Sequence, residues 1–266
     1  MSAPFELLLF HRDTAASQAH FDAGLDGVIL DLEHRGKAAR QTGYDTEINA
    51  HTLSDLRAAR KALTGHILCR ISGPSPTSDE LRAVLDAGAD EIIVPMLTSL
   101  AQAERICSLV DGAADITLMC ETLEATKILP RLSRLPIRRL YVGLTDLWIA
   151  RGTASIFAPL EDGLIDEIRL DVTGPSFGFG GLTLPGLGKP LCVSHLYHEM
   201  ARLNAGFTFL RRSYYRDAKD LTPTAALQAI RADMQTARAR SRPMVAAHYA
   251  RSCRAVASIG ESAHAF

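Results

Sequence analysis

Two acidic residues, Glu121 and Asp146, stand directly after short apolar runs that are typical of buried parallel strands. Helical patterns follow both of them, so each acid falls where a βα loop would begin. If the two strands are neighbours in a barrel, spaced roughly 5 Å apart, both carboxylates face one mouth. Hard oxygen ligands there would hold a divalent cation and leave coordination positions open for a substrate. Taken alone, either acid is equally well explained as a solvated surface charge, but their shared rim favours a metal site.

Strand patterns recur along the chain and alternate with helical patterns. We predict strands at 5–10, 27–33, 66–72, 91–97, 116–121, 140–143, 176–183 and 207–213. Eight such repeats without an interrupting domain predict an α/β fold of the (β/α)8 TIM barrel class, in a single domain. The barrel is expected to span 1–222 and to be followed by a C-terminal helical extension at 223–266. An open doubly wound sheet is the competing architecture, but no glycine fingerprint for dinucleotides follows the first strand.

Local patterns support the elements between and within these strands. Helix starts are marked by Thr52, Thr77 and Ser99, each followed three residues later by a residue that completes a capping box. In the fifth strand, alternation predicts that Met119 and Glu121 face inward, while the residues between them face the helices.

Composition narrows the class of protein. The chain has 266 residues, 47% of them hydrophobic, and a formal net charge of −1, so nothing global attracts nucleic acid or an anionic membrane. No signal segment or membrane-spanning run is evident, and we expect a cytoplasmic protein without membrane or nucleic-acid partners. The five cysteines are scattered without a paired motif and are expected to be buried thiols.

Ionisable residues gather at the predicted strand ends, where the active sites of barrels are built. Asp31, Glu33 and His34 follow the second strand, Arg70 the third and Pro95 the fourth. They would share the rim with Glu121 and Asp146.

These segments resemble the HpcH/HpaI aldolase and citrate lyase β-subunit superfamily over roughly residues 5–152. The order and spacing of the pieces carry the resemblance, since no single piece is strongly specific. The pieces are LDLEH at 30–34, CRI at 69–71, GADEIIVPM at 88–96, CET at 120–122 and GLTDL at 143–147, closing at 151–152 with Arg-Gly.

The resemblance implies a carbon–carbon lyase that depends on Mg²⁺ or Mn²⁺, with Glu121 and Asp146 at the metal-ligand positions. It places Arg70 on the oxygens of the substrate and implies further substrate contacts at Pro95 and at Gly143, Leu144 and Thr145. Substrates of the superfamily are 2-keto acids, such as pyruvate with an aldehyde, or CoA thioesters. A homo-oligomer is the implied state, because the C-terminal helix in the family packs against or swaps into a neighbouring subunit.

His34 bears on which branch of the superfamily this chain resembles. Pyruvate aldolases have a histidine at this position, and an imidazole can move protons at neutral pH, here with Asp31 orienting the ring. The alternative is that His34 only bonds a loop carbonyl. Leu32 is instead typical of the citrate lyase branch, whereas Met96 stands where that branch usually carries a lysine. We therefore favour a 2-keto acid, with a CoA-ester lyase or thioesterase as the alternative and a non-catalytic barrel disfavoured.

The later part of the chain departs from the family pattern. Met119 and Thr145 replace residues common in pyruvate aldolases, which leaves the substrate open. The glycine-rich segment 177–185 predicts either a tight barrel corner or a phosphate-cradling loop. Arg211 or Arg212 could bind the far carboxylate of an acceptor or pair with a structural acid. His195 and His198 are three residues apart on a helical segment, but no third metal ligand accompanies them, so they are predicted to be surface or packing residues.

Overall fold

Eight parallel strands form the centre of the protein in this computed structural model, which describes residues 4–34 and 51–264. They are β1 Glu6–Phe10, β2 Gly27–Asp31, β3 Ile67–Arg70, β4 Glu91–Val94, β5 Asp115–Cys120, β6 Arg139–Val142, β7 Ser176–Leu182 and β8 Phe207–Leu210. Each strand pairs with its neighbour in chain order, and β8 closes the barrel on β1. The predicted TIM barrel is confirmed.

Helices surround this barrel. Over the described residues they are α1 Thr14–Asp22, α2 Leu53–Ala62, α3 Ser78–Asp86, α4 Leu100–Val110, α5 Leu123–Thr126, α6 Leu129–Leu132, α7 Leu144–Arg151, α8 Ala158–Glu161, α9 Leu164–Asp171, α10 Val193–Arg202, α11 Tyr214–Asp217, α12 Pro223–Arg238 and α13 Arg242–His264. All three predicted capping boxes are present, at Thr52, Thr77 and Ser99. None of these helices is both long and apolar enough to cross a membrane.

Alternating residues of the strands divide the apolar core into two parts. One cluster fills the inside of the barrel and includes Leu8, Ile29, Met119 and Phe209. The larger cluster lies between the strands and the helices. Met119 therefore faces inward as predicted. Most strands end one to three residues before their predicted ends, because the chain leaves the hydrogen-bonded ladder where the βα loop begins.

The last two helices have different surroundings. Helix α12 starts after the Thr222 cap and contacts α1 and α10 in the outer ring, so the expected division at 222/223 falls at the start of a ring helix. Helix α13 lies on α8 and α10 of the same chain. There Arg202 stacks on the ring of Tyr249, and His195 Nδ1 lies 3.0 Å from Ser252 Oγ. His195 and His198 are thus packing residues, as predicted.

Two histidine rings stack where α13 meets α10. The centroids of His198 and His248 are 4.1 Å apart, and Arg240 donates to His248 Nδ1 over 2.9 Å, which requires that nitrogen to be unprotonated. Burial and the neighbouring charge of Arg240 lower the pKa of His198 to about 4.

We expect the melting temperature to fall as the pH drops from about 6.5 towards about 4. In this window the unfolded chain protonates His198 while the folded protein keeps the ring neutral, so protons favour unfolding. His198→Asn should flatten the decline, which thermal melts of both proteins over this pH range will measure. Parallel declines would show that the stacked pair does not control the acid sensitivity.

Candidate active site

The carboxyl ends of the strands present a ring of inward-facing residues. The internal cluster fixes which residues point inward, and the residue two positions later on the same strand faces the same side. The ring consists of Phe10, Asp31, Arg70, Pro95, Glu121, Gly143 and Arg211. Six of these seven, all except Phe10, are candidate strand-end or site residues of the sequence analysis, and the closed barrel brings them to one mouth.

Glu121 is a buried carboxylate of this mouth, with 2% of its surface exposed. Its Oε1 accepts a hydrogen bond of 2.9 Å from the Met96 amide. Met96 adopts a φ of 56°, a left-handed backbone conformation that is costly for any residue other than glycine. The backbone after Pro95 is therefore held in a strained conformation that aims a donor at Glu121.

Gly143 makes room for the same carboxylate. A Cβ on Gly143 would clash with Glu121 Oε2 and would lie 3.0 Å from Glu121 Cβ. Gly143 is also the N-cap of α7, whose first turn contains Leu144, Thr145 and Asp146. The close approach that only glycine permits thus brings the start of this helix against Glu121.

Like charges surround Glu121. Its pKa is raised to about 8, first by burial and then by the charges of Asp146 and Glu33, which the Arg70 guanidinium and the Met96 amide only partly offset. Carboxylates that repel one another in this way are stabilised by a cation bound between them. The oxygen donors of Glu121 and Asp146, with Glu33 nearby, fit a hard divalent cation such as Mg²⁺ or Mn²⁺ better than zinc or copper.

Arg70 is the fixed cation of the mouth. Its Nε and Nη2 donate to Asp31 Oδ1 and Oδ2 over 2.9 and 2.7 Å, and its Nε lies 3.5 Å from Glu33 Oε2. Only 12% of its side chain is exposed, and its guanidinium lies over the Phe10 ring at 5.3 Å. The bidentate pair shows what Asp31 does in this structure: it orients Arg70.

His34 lies at the outer edge of the site and is exposed. Its backbone amide donates to Ser72 Oγ over 3.0 Å, and its Nε2 donates to the His51 carbonyl over 3.1 Å. The loop-carbonyl bond that we considered as the alternative is thus present. The carboxylate of Asp31, which was expected to orient this ring, is bound by Arg70 instead.

His51 belongs to this site and was missed by the sequence reasoning. Its Nδ1 accepts from the Asp31 amide over 3.1 Å, so Nδ1 is unprotonated, and its ring centroid lies 5.6 Å from that of His11. No strand or helix periodicity in the sequence marks His51, which stands directly before the Thr52 cap. By contrast, the alternation of residues in β6 and β8 predicts that Tyr141 and Phe209 face inward. Their rings stack below the mouth, with centroids 3.9 Å apart.

The two arginines after β8 differ in position. Arg211 continues the inward phase of Phe207 and Phe209, and its Nε and Nη2 donate to the Gly181 carbonyl over 3.1 and 2.9 Å. Arg212 is exposed. The glycine-rich stretch that Arg211 binds is the bulged end of β7, with a register shift between Gly178 and Gly181, as expected for a tight corner.

A second group of candidate ligands, His66, Glu91 and Asp115, lies at the opposite end of the barrel. Arginines already neutralise its carboxylates: Arg139 bonds Glu91, and Arg138 Nη1 lies 2.6 Å from Asp115 Oδ2. Burial would raise the pKa of Glu91, but the hydrogen bond from His66 and the charge of Arg139 lower it overall. This group therefore stabilises the bottom of the barrel as an ion-pair network.

Solved structures with this fold include a protein of the resembled superfamily and a citrate synthase. An HpcH/HpaI aldolase/citrate lyase family protein from Burkholderia cenocepacia J2315 matches with a TM-score of 0.60 and 14% identity, over 89% of this chain and 95% of its own. The citrate synthase SbnG matches with a TM-score of 0.56 and 18% identity, over 86% and 95%.

The same fold also occurs in enzymes with other names. 3-Hexulose-6-phosphate synthase from Salmonella typhimurium matches with a TM-score of 0.58 and 16% identity, over 88% of this chain and 100% of its own. No family model and no curated protein sequence matches the chain. Identities this low show a shared fold, so the chemistry has to be argued from the residues at the mouth.

Proposed function

We propose that this protein is a divalent-metal-dependent carbon–carbon lyase that forms or cleaves a 2-keto acid. The observation that carries the proposal is the buried Glu121 carboxylate, surrounded by Asp146, Glu33 and the Arg70 guanidinium at the carboxyl end of the barrel. Lyase-family proteins among the solved structures with this fold support the reaction class.

The chemistry requires an electron sink beside the bond that breaks. When a 4-hydroxy-2-keto acid is cleaved, the hydroxyl proton leaves to a base, an aldehyde forms, and the electrons of the C3–C4 bond enter the enolate of pyruvate. A cation held by Glu121 and Asp146 would act as the Lewis acid for that enolate. Arg70 adds fixed donors to the same developing charge, and its bidentate bond to Asp31 keeps the guanidinium aimed.

The carboxylate of the keto acid would bind at the start of α7. The first-turn amides of a helix have no intrahelical acceptors, and here they belong to Leu144, Thr145 and Asp146. Gly143 brings these amides next to Glu121. A 2-keto acid could then place its carboxylate at the helix and its carbonyl oxygen towards the cation and Arg70.

Proton transfer at the aldol hydroxyl is assigned to the histidines at the edge of the mouth. His34 Nε2 donates to the backbone carbonyl of His51, and this bond holds the His34 ring in its orientation. We propose His34 as the group that moves the proton and His51 as the residue that positions it. The protein is also proposed to act as a homo-oligomer, as the family resemblance implies.

Calorimetric titration with and without Mg²⁺ tests the substrate class. We expect pyruvate and oxaloacetate to bind only when metal is present, and acetyl-CoA not to compete at comparable concentration. Metal-dependent decarboxylation of oxaloacetate, followed by the loss of its absorbance, should accompany binding, and EDTA should abolish it until Mg²⁺ or Mn²⁺ is restored. Metal-independent CoA binding with a Kd in the micromolar range, about −8 kcal/mol, would instead favour a CoA-ester substrate.

A further inference from the structure

Arg211 is a second positively charged residue at the mouth. It follows directly after β8, whereas Arg70 is at the end of β3. The backbone of Arg211 continues the inward phase of Phe207 and Phe209, and its guanidinium lies under the glycine-rich end of β7. Gly188 leaves space for it, because a Cβ there would lie 3.2 Å from Arg211 Nη1. The surrounding backbone is thus shaped around this guanidinium.

The charges that surround this cation, in the part of the chain that the structure describes, bear on what it can bind. Among the described residues no carboxylate forms an ion pair with Arg211, whose hydrogen bonds go to the neutral carbonyl of Gly181. Asp217 acts on it only at longer range, because its carboxylate is already bound by Thr183 Oγ1 at 2.6 Å and Arg216 Nη2 at 3.0 Å. Partial burial lowers the pKa of Arg211, and the charge of Asp217 only partly offsets this effect. Keeping a guanidinium half-buried beside a neutral carbonyl costs free energy that a bound anion would offset.

An aromatic layer connects Arg211 with the proposed metal site. Tyr141 donates its hydroxyl proton to the Gly180 carbonyl, next to the carbonyl that Arg211 binds, and its ring stacks on Phe209 at 3.9 Å. Phe209 meets Phe10 edge to face at 5.9 Å, and Arg70 lies over Phe10. These three rings form a continuous apolar floor from Arg211 to the Arg70 and Glu121 side of the mouth.

A concave surface between the ends of β8 and β1 opens next to this floor. Its lining includes Phe10, Arg12, Arg211 and Tyr215, and the Arg12 guanidinium lies 4.2 Å from the centre of the Tyr215 ring. Loops after the seventh and eighth strands are where barrels of this class often bind anionic groups. The pocket is therefore positively charged at the end of the mouth that the keto acid does not use.

We propose that Arg211 is a specificity-determining residue that binds a carboxylate or phosphate at the far end of the acceptor aldehyde. The proposal rests on the function proposed above and names its substrate class: aldol acceptors with an anionic end, lying across the Tyr141, Phe209 and Phe10 rings. Arg12 adds charge at the entrance. Arg211 takes no part in generating the enolate.

Two assays on the same variants separate acceptor binding from enolate formation. Exchange of the methyl protons of pyruvate with D₂O, followed by NMR with Mg²⁺ present, needs no acceptor. Aldol addition is measured with glycolaldehyde as the neutral acceptor, glyoxylate as the carboxylate and glyceraldehyde 3-phosphate as the phosphate. Arg211→Gln keeps a donor for the Gly181 carbonyl. Arg254→Gln, which removes an exposed arginine on α13, is the matched control.

We expect Arg211→Gln to raise KM for one or both anionic acceptors by roughly 10- to 100-fold, the scale of a lost hydrogen bond to a charged group. Proton exchange in pyruvate and KM for glycolaldehyde should stay within about twofold, and Arg254→Gln should behave like the unmodified protein in every assay. The acceptor whose KM rises, glyoxylate or glyceraldehyde 3-phosphate, identifies whether Arg211 binds a carboxylate or a phosphate. Equal losses with neutral and anionic acceptors, or none with either anion, would overturn the proposal.

Folding and failure of the parent proposal are controlled separately. Circular dichroism checks whether Arg211→Gln is folded. If it is not, Arg211→Lys takes its place in the test. This variant keeps the charge without the planar fork, and it should retain a preference for anionic acceptors. If the unmodified protein exchanges no pyruvate protons, the lyase proposal fails. Calorimetric titration with succinate and inorganic phosphate then decides the anion site alone: binding that Arg211→Gln abolishes supports it, and binding unchanged or absent refutes it.

Discussion

Glu121→Ala and Asp146→Ala are each expected to abolish metal-dependent turnover, lowering kcat by about 10³-fold or more, because each removes one of two protein carboxylates proposed to hold the cation. Oxaloacetate decarboxylation at saturating Mg²⁺ measures the loss. Wild-type activity in either variant would exclude that residue from the metal site.

Glu124→Ala is the matched control, since Glu124 is exposed and only three residues from Glu121. A readout without turnover is the melting temperature, which Mg²⁺ should raise in the unmodified protein and in Glu124→Ala but in neither site variant. Glu121→Gln should be at least as stable as the parent without metal, because a neutral amide is not penalised by burial beside Asp146 and Glu33. Loss of activity together with retained stability would distinguish a functional carboxylate from a structural one.

Arg70→Lys is expected to lower aldol cleavage and oxaloacetate decarboxylation alike, by about 10²-fold, because both reactions develop the same enolate charge. A lysine would make a single point contact where the guanidinium makes two bonds to Asp31. Asp31→Asn should also lower both reactions, though less, since it weakens the aim of Arg70 while keeping its charge.

His34→Ala should behave differently from Arg70→Lys and Asp31→Asn. It should reduce aldol cleavage by roughly 10²-fold, the usual scale of acid–base assistance, and spare decarboxylation, which has no hydroxyl proton to move. Both rates are measured for each variant with the same enzyme preparation and Mg²⁺ concentration. Equal losses in the two reactions would remove His34 from the proton-transfer step and leave it a role in the shape of the loop that bonds His51.

The residue pattern alone determined the barrel and where its chemistry must lie. Alternation in β5 fixed the inward phase of Met119 and Glu121, and the capping boxes at Thr52, Thr77 and Ser99 fixed helix starts. These features depend on neighbours a few residues away in the chain, so they can be predicted from the sequence alone. The strand-end positions of Asp31, Arg70 and Glu121 follow from the same local rules.

Only the tertiary structure decided which of these groups meet. Asp31 bonds Arg70, 39 residues away, rather than orienting its near neighbour His34, and the Met96 amide is aimed at Glu121 by a strained backbone. Arg211 and Tyr141 approach one another through the bulged end of β7. Such pairings depend on strand register, barrel closure and loop conformation. These are set by contacts distant in the chain, which leave no periodic signal around the residues they bring together.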